Sequence, residues 1–219
     1  MPGAAAIVAR LVGRLVAGYV RLVAATSQIR ADVDRGVRHD AAVLAFWHEY
    51  NLAVAVVAFR LRRGARHVSF STRGFRGMVV SSMLDALGAE SVPLPAAGES
   101  AEAARLSLAV GRLGREGATL IVTPDGPFGP YRRAKPGALI AARESALPIR
   151  PWAIAVRPSL RLGRRWDRHV VPLPFSRLRI VEGAALLVRE GERLRPRLAE
   201  LQAELDRVAE RADAVERRR

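Results

Sequence analysis

The hydrophobic pattern predicts a first helix over residues 4–25, because these residues are apolar apart from three arginines and contain no proline. At 100° per residue, Arg10, Arg14 and Arg21 fall within roughly 40° of one another, so a broad apolar face remains opposite them. This pattern favours a helix lying in the plane of a membrane surface, because a spanning helix would carry its arginines through the hydrocarbon. Packing on the chain's own domain is the alternative. The arginines also argue against a cleaved signal peptide.

Residues 41–183 alternate short apolar runs with helical stretches, which predicts an α/β domain with a mixed sheet flanked by helices. An arginine-rich segment over residues 157–168 is interpreted as an excursion between the last two strands. The predicted strands occupy residues 42–47, 67–72, 91–94, 119–122, 148–156 and 178–181. The predicted helices follow position 48 as far as position 62 and then occupy residues 77–87, 100–115 and 136–145.

The C-terminal region carries an apolar seam with alternating steps of four and three residues, which predicts a helix of three heptads. The seam could form a coiled-coil dimer, or it could dock on the preceding domain. The chain therefore divides into an amphipathic helix with a linker (1–40), an α/β domain (41–188) and a C-terminal amphipathic helix (189–219). The seam consists of Leu194, Leu198, Leu201, Leu205, Val208, Ala212 and Val215.

Composition narrows the class of partner. Hydrophobic residues make up 50% of the chain and charged residues 26%, which excludes a chain that is disordered throughout. The net charge is +15 and almost every cation is arginine, which favours an anionic membrane or nucleic acid, although an arginine-rich composition by itself is the alternative explanation. Aromatic residues are 5% of the chain, which disfavours nucleic acid because base stacking needs them. The absence of cysteine excludes a thiolate nucleophile.

His48 is the first choice for a general base, because it stands where a predicted strand ends and a helix begins. Its imidazole also titrates near neutrality. A purely structural histidine is the alternative. The other histidines, His39, His67 and His169, lack the spacing of metal ligands, so no metal site is predicted. The chain also lacks the glycine and serine motifs of α/β-hydrolases, P-loop nucleotidases and dinucleotide-dependent dehydrogenases.

Residues 123–130, Thr-Pro-Asp-Gly-Pro-Phe-Gly-Pro, form a constrained loop after the predicted strand 119–122. Asp125 stands near its centre. Arg132, Arg133 and Lys135, the sole lysine of the chain, follow the loop, and their charge favours an anionic substrate. A surface turn is the alternative interpretation, because Pro-Asp-Gly is common turn chemistry.

Several motifs, taken in their order along the chain, resemble a bacterial branch of the lysophospholipid acyltransferase superfamily. This branch is related to the glycerol-phosphate acyltransferases and is described as a domain of unknown function. The resemblance spans about residues 42–185 and depends on the order of the motifs more than on any one of them. The motifs are Phe46-Trp47-His48, residues 123–127 with Gly129-Pro130, Lys135-Pro136-Gly137, residues 148–153, Trp166-Asp167 and residues 172–176.

The resemblance implies a glycerol-phosphate acyltransferase-like fold in which His48 deprotonates the acceptor hydroxyl for direct attack on an acyl thioester. Ala53 stands where the superfamily places the acid that orients its histidine, so Asp125 or Glu49 would take that role. The implied phosphate-binding residues are Arg132, Arg133 and Lys135, and the implied site loop contains Pro124, Gly126, Pro127 and Gly129.

The resulting hypothesis is a membrane-associated O-acyltransferase that moves an acyl chain to a hydroxyl of a phosphate-bearing lipid. The co-substrate would be acyl-CoA or an acyl carrier protein thioester, with no bound cofactor, and the protein would lie at the cytoplasmic face of the inner membrane. Ala53, Arg76 and Phe128 depart from the family pattern, which has an acid, an aspartate and an arginine there. A non-catalytic protein that binds anionic lipid on the same fold is therefore the alternative.

Overall fold

A mixed sheet forms the centre of the molecule, in a computed structural model that describes residues 3–31, 41–61, 66–95 and 100–217. Residues 32–40 of the predicted linker, which include His39, lie outside these residues, as does position 62 at the expected end of the second helix. Within the described residues, seven strands pair in the order β1-β7-β6-β2-β5-β3-β4. The strands are β1 (Gln28–Ala31), β2 (Val43–Ala45), β3 (His67–Ser71), β4 (Glu90–Pro93), β5 (Thr119–Val122), β6 (Ile149–Arg161) and β7 (Val170–Glu182).

Helices flank this sheet, and the predicted fold class, an α/β protein with a mixed sheet, is confirmed. They are α1 (Ala4–Thr26), α2 (Asn51–Leu61), α3 (Phe75–Ala86), α4 (Ser100–Arg115), α5 (Gly137–Ser145) and α6 (Leu194–Arg217). A single turn of 3₁₀-helix, His48–Tyr50, leads into α2. The core is built from the apolar runs of the central strands together with one face of α1, α2, α4, α5 and α6.

The parallel arrangement of the central strands positions the site. The three residues of β2 are buried and pair with β5 on one side and with β6 on the other, both in parallel. Such strands read as continuous apolar runs because helices cover both faces of the sheet. Ala45 lies opposite Val122, so the chain leaves β2 and β5 side by side at the same edge of the sheet.

The arginine-rich segment is part of a long antiparallel hairpin. Its residues 157–161 extend the first strand, which corrects the predicted excursion over residues 157–168, and only residues 162–169 connect the two strands. Strand β6 continues as far as Arg161, and β7 begins at Val170, well before the predicted start at residue 178. Residues 157–161 do not place alternate apolar side chains in the core, so hydrophobic periodicity does not predict this part of the strand. Their backbone groups are satisfied by pairing across the hairpin, whatever their side chains.

Strand β1 was not expected, because the alternation of its residues Gln-Ile-Arg-Ala covers only four positions, too few to predict a strand. It pairs in parallel with β7, with Ile29 opposite Leu178. The strand exists because the backbone of β7 offers it an edge, which is a tertiary effect.

The C-terminal seam docks on the domain. Helix α6 packs against β6 and β7, and it buries Leu201, Leu205, Val208 and Ala212 from the predicted seam. The chain's own sheet covers these side chains. Of the two alternatives that the heptad pattern left open, the structure therefore shows docking on the domain.

Helix α1 packs on α3 through a face of small side chains, which differs from the face that its apolar pattern indicates. A Cβ atom on Gly13 would lie 2.6 Å from the carbonyl oxygen of Val79, so the two helices approach closely at this glycine. Much of the larger apolar face stays exposed, including Leu15 with 74% of its surface accessible. Among the described residues, α1 and the other helices are too short or too polar to cross a membrane.

Candidate active site

His48 and the loop after β5 meet at the carboxyl edge of the parallel strands. His48 opens the 3₁₀ turn that follows β2, while Thr123 and Asp125 directly follow β5. Because β2 and β5 are neighbours, residues far apart along the chain come into hydrogen-bond contact there. Open α/β sheets commonly bind ligands at this edge.

Asp125 fixes the backbone of both segments. Its carboxylate is fully buried, and Oδ1 accepts a hydrogen bond of 2.9 Å from the backbone N–H of His48. Oδ2 accepts a bond of 3.3 Å from the backbone N–H of Arg132. Burial raises the pKa of Asp125 to about 6, although these N–H donors act in the opposite direction. Asp125 therefore anchors the loop and contacts the main chain of His48 rather than its imidazole.

The imidazole of His48 has a different polar neighbour at each nitrogen. Nδ1 lies 3.2 Å from Oγ1 of Thr123, and Nε2 lies 4.0 Å from Oδ2 of Asp167. The ring of Trp166 packs beside it, with 5.1 Å between the ring centroids. Burial lowers the pKa of His48 to about 4, and the carboxylate of Asp167 partly opposes that shift. The imidazole is therefore neutral at physiological pH and able to accept a proton.

Asp167 comes from the tip of the β6–β7 hairpin and is fully buried. Arg165 donates to both of its carboxylate oxygens, at 2.9 Å and 3.0 Å, and Nδ1 of His169 lies 3.5 Å from Oδ2. Burial acts to raise the pKa of Asp167, but Arg165 and the two imidazoles outweigh it and leave the pKa below its ordinary value. The Trp166-Asp167 motif marks Asp167 in the sequence, but local spacing does not indicate that its carboxylate lies beside the imidazole of His48.

Glu49 lies in a separate cluster of charged side chains. Its buried carboxylate accepts a hydrogen bond of 2.6 Å from Nε of Arg132 and one of 3.1 Å from the hydroxyl of Tyr131. Arg161 approaches the same carboxylate at 3.6 Å. Burial raises the pKa of Glu49, and the hydrogen bond from Arg132 counteracts that shift. The carboxylate of Glu49 thus pairs with Arg132, and the structure does not bring it to the imidazole of His48.

Of the three cations predicted to bind phosphate, Lys135 lines the cavity beside His48, whereas Arg132 and Arg133 do not. Arg132 is engaged with Glu49 and also approaches Asp213 at 3.7 Å. Arg133 is exposed and lies outside the lining of the cavity beside His48. Lys135 does line that cavity, and its Nζ donates to the carbonyl oxygen of Gly126 at 3.3 Å.

The loop residues pack tightly around the imidazole. A Cβ atom at Gly126 would lie 2.7 Å from Nδ1 of His48, so a side chain there would displace the ring. Gly129 has a φ of 76° and lies against Trp166, where a Cβ atom would come within 2.8 Å of the indole ring. The carbonyl oxygen of Pro124 accepts a bond of 2.9 Å from the backbone N–H of Lys135, which closes the loop, and Pro127 lines the cavity.

A cavity of about 830 Å³ opens beside His48. Its volume lies in the range of small-molecule sites. Apolar side chains form most of its wall, including Val16 from α1, Met83 from α3 and Leu106 from α4. Its polar lining includes His48, Thr123, Arg76, Lys135 and Arg165. Among the described residues, no group of His, Asp and Glu side chains is arranged to hold a metal ion.

These features define an α/β fold with a mixed sheet and a histidine at the carboxyl edge of its parallel strands. The crystal structure of the 1-acyl-sn-glycerophosphate acyltransferase PlsC of Thermotoga maritima has a similar fold, with a TM-score of 0.54 over 94% of this chain and 80% of that one. The two sequences are 15% identical, so the likeness is one of fold. An uncharacterised protein of Rickettsia prowazekii is 26% identical over 175 residues, which cover 77% of each chain. No family model matches the chain.

Proposed function

We propose that this chain is a membrane-associated O-acyltransferase. It would transfer an acyl chain from a thioester donor, acyl-CoA or an acyl carrier protein, to a hydroxyl of a phosphate-bearing lipid, with His48 as the general base. The observation that carries the proposal is a neutral imidazole at the wall of an apolar cavity of about 830 Å³. The likeness of the fold to an acyltransferase supports the same reaction class.

The reaction is a direct transfer. The acceptor hydroxyl gives its proton to His48 while its oxygen attacks the thioester carbon, so the C–O bond forms and the carbonyl oxygen becomes an oxyanion. Collapse of this intermediate breaks the C–S bond. The leaving thiolate then accepts this proton from the imidazolium of His48 and departs as the thiol. The apolar wall holds the acyl chain and keeps water from the thioester.

The acceptor phosphate would bind to cations at the cavity. Lys135 and Arg76 are exposed and also line the cavity, which makes them better placed for this role than Arg132, whose guanidinium pairs with Glu49. Arg133 remains a candidate for contact with a headgroup that extends beyond the cavity. Arg76 stands at one of the positions where the family pattern differs, and it adds a positive charge there.

The exposed side of α1 is the observation that supports the proposed membrane association. The helix buries small residues against α3, and this leaves a second apolar face that is open to solvent. The arginine stripe, Arg10, Arg14 and Arg21, borders that face on the helix surface. Apolar side chains beside arginines fit the headgroup region of an anionic bilayer. Val16 of the same helix lines the cavity, so docking through α1 would bring the site to its lipid substrate.

The test of the proposal is acyl transfer by the wild-type protein and by His48→Ala. Purified protein is incubated with acyl-CoA or acyl carrier protein thioesters and with lysophosphatidic acid or glycerol phosphate, and thiol release and acylated product are quantified. We expect turnover by the wild type and a decrease of about 10²–10⁴-fold in His48→Ala, in a variant that still melts cooperatively. Full activity in the variant would remove His48 from the mechanism.

The alternative, lipid binding without chemistry, has one observation in its favour. Ala53 is buried among apolar side chains, and neither Asp125 nor Glu49 contacts the imidazole, so the orienting carboxylate of the family pattern is missing at all three places. Binding to anionic vesicles without thiol release from any donor in the panel would favour this function over transfer.

A further inference from the structure

A carboxylate does face the imidazole of His48, and it belongs to the Trp166-Asp167 motif, far along the chain from Ala53. Of the three buried acids around His48, Asp125 binds backbone N–H groups and Glu49 binds Arg132. Asp167 is the third. Its Oδ2 lies 4.0 Å from Nε2 of His48, and its side chain is fully buried.

We propose that Asp167, at the tip of the β6–β7 hairpin, is the positioning residue of His48 and replaces the acid that is missing at Ala53. The inference rests on the proposed function of His48 as a base. Asp167 would hold the proton of the neutral imidazole on Nε2 and leave Nδ1 free to accept the proton of the acceptor hydroxyl. It would then stabilise the imidazolium until the thiolate leaves.

The surroundings of the two nitrogens support this assignment. Nδ1 faces Oγ1 of Thr123 and lies close to the backbone of Gly126, and both of these residues line the cavity. Nε2 faces the buried carboxylate. The separation of 4.0 Å exceeds a hydrogen bond, but such contacts in ligand-free sites commonly shorten when the substrate binds.

Arg165 keeps Asp167 charged and in place. Its guanidinium donates to both carboxylate oxygens, and this two-point contact fixes the plane of the carboxylate. Arg165 also lines the cavity, so the same side chain connects the positioning acid to the substrate space. The hairpin tip thus contributes Arg165, Trp166, Asp167 and His169 around a single imidazole.

Other charged groups near His48 would not substitute for Asp167. Lys135 binds the carbonyl oxygen of Gly126, Asp125 binds the backbone, and Arg165 and His169 both disfavour a positive charge on the imidazole. Asp167 alone among these described neighbours favours the protonated form of His48 through its charge.

The first test reads the tautomer of His48 in the wild-type protein at pH 7 from the ¹⁵N shifts of its imidazole, assigned by loss of the signal in His48→Gln. We expect the proton on Nε2, and a proton on Nδ1 would overturn the inference. In Asp167→Asn the preference for Nε2–H should disappear. An unchanged tautomer in that variant would equally overturn it. This readout needs no activity, so it stays informative if no acyl transfer is found.

The second test is kinetic. Asp167→Asn should lower kcat by roughly 10²-fold while KM changes less than about threefold, because the acid acts on the base and does not touch the substrate. Asp167→Glu, which keeps the charge, should recover at least about tenfold of that loss. Asp85→Asn on the exposed side of α3 is the matched control and should behave as wild type.

The two proposals fail in different ways. A wild-type protein that transfers no acyl chain from any donor overturns the proposed function. Normal wild-type turnover with an undiminished kcat in Asp167→Asn overturns only the role of Asp167. If Asp167→Asn does not fold, as judged by its melting curve, the wild-type tautomer and the kcat of Asp167→Glu decide the question, and a proton on Nδ1 rejects the inference.

Discussion

At the scale of single residues, burial shifts the pKa values of the neighbouring His48 and Asp125 in opposite directions. Burial disfavours the charged form of each group, so it lowers the pKa of the imidazole to about 4 and raises that of the carboxyl to about 6. Their contact is through the backbone N–H of His48, so the two imidazole nitrogens face Thr123 and Asp167 instead. The two shifts have opposite consequences for stability as the pH changes.

The pH dependence of stability should separate these two residues. The folded-state pKa of His48 lies below its ordinary value of 6.5, so its contribution is present above pH 6.5 and is lost as the pH falls through about 4. The unfolding free energy of the wild type minus that of His48→Gln should therefore rise by about 3 kcal/mol between pH 4 and 6.5. Urea denaturation at a series of pH values measures this difference.

Asp125→Asn provides the comparison with the opposite sign. Its folded-state pKa of about 6 exceeds the ordinary value of 3.8, so the contribution of Asp125 is present below pH 3.8 and is lost as the pH rises through about 6. The wild-type minus variant difference should fall over this range. Two curves with the same slope would contradict the assignment of both shifts to burial.

At the scale of an element, the three sides of helix α1 carry different kinds of residue and have different surroundings. Small residues such as Ala9, Gly13 and Ala17 pack on α3, because their size lets the helix backbones approach. Arginines occupy a second side. The larger apolar residues, including Leu11 and Leu15, face solvent, where their exposure has a cost unless something covers them.

Leu15→Glu tests the membrane role of this exposed side. Leu15 is 74% exposed, so the substitution should change the melting temperature little, whereas it should weaken binding to anionic vesicles by roughly tenfold or more. Sedimentation with vesicles of phosphatidylglycerol and phosphatidylcholine measures the binding. Leu108→Glu on α4 is a matched control, because Leu108 is 76% exposed and carries no proposed membrane contact. Equal losses in the two variants would rule out a specific role for α1.

At the scale of the whole molecule, α6 connects the sheet to the site loop. Its apolar seam packs on β6 and β7, and its polar side reaches the loop through Gln202, which bonds the backbone of Arg132 and Ala134 at 3.0 Å and 2.8 Å. Asp213 and Glu216 of α6 pair with Arg161 of the hairpin. The C-terminal helix is thus part of the structure that holds the site.

Leu205→Ala should show that α6 belongs to the same cooperative unit. Leu205 is fully buried, so its truncation should lower the unfolding free energy by about 2–5 kcal/mol. Leu187→Ala, at a residue that is 59% exposed, should change it by less than about 0.5 kcal/mol. Urea denaturation at two protein concentrations measures both values. A midpoint that depends on concentration would indicate that the seam forms a dimer instead.

Periodicity predicted those elements whose local pattern agrees with their tertiary surroundings. Strands β2, β3 and β5, and helices α1, α5 and α6, could be predicted because continuous apolar runs or a spacing of three and four residues mark them. Strand β1 could not be predicted because its alternation covers only four residues, and the outer half of the β6–β7 hairpin could not because its side chains show no regular apolar pattern. Cross-strand backbone pairing stabilises both.

The sequence by itself determined the α/β class, the position of His48 after a strand and the constrained loop around Asp125, because these features depend on residues that are neighbours in the chain. The tertiary structure decided which groups meet. It placed Asp125 on the backbone of His48, paired Glu49 with Arg132 and brought Asp167 from the hairpin to the imidazole. The physical reason is that parallel pairing of distant strands and the docking of a hairpin set these distances, and neither leaves a mark in local spacing.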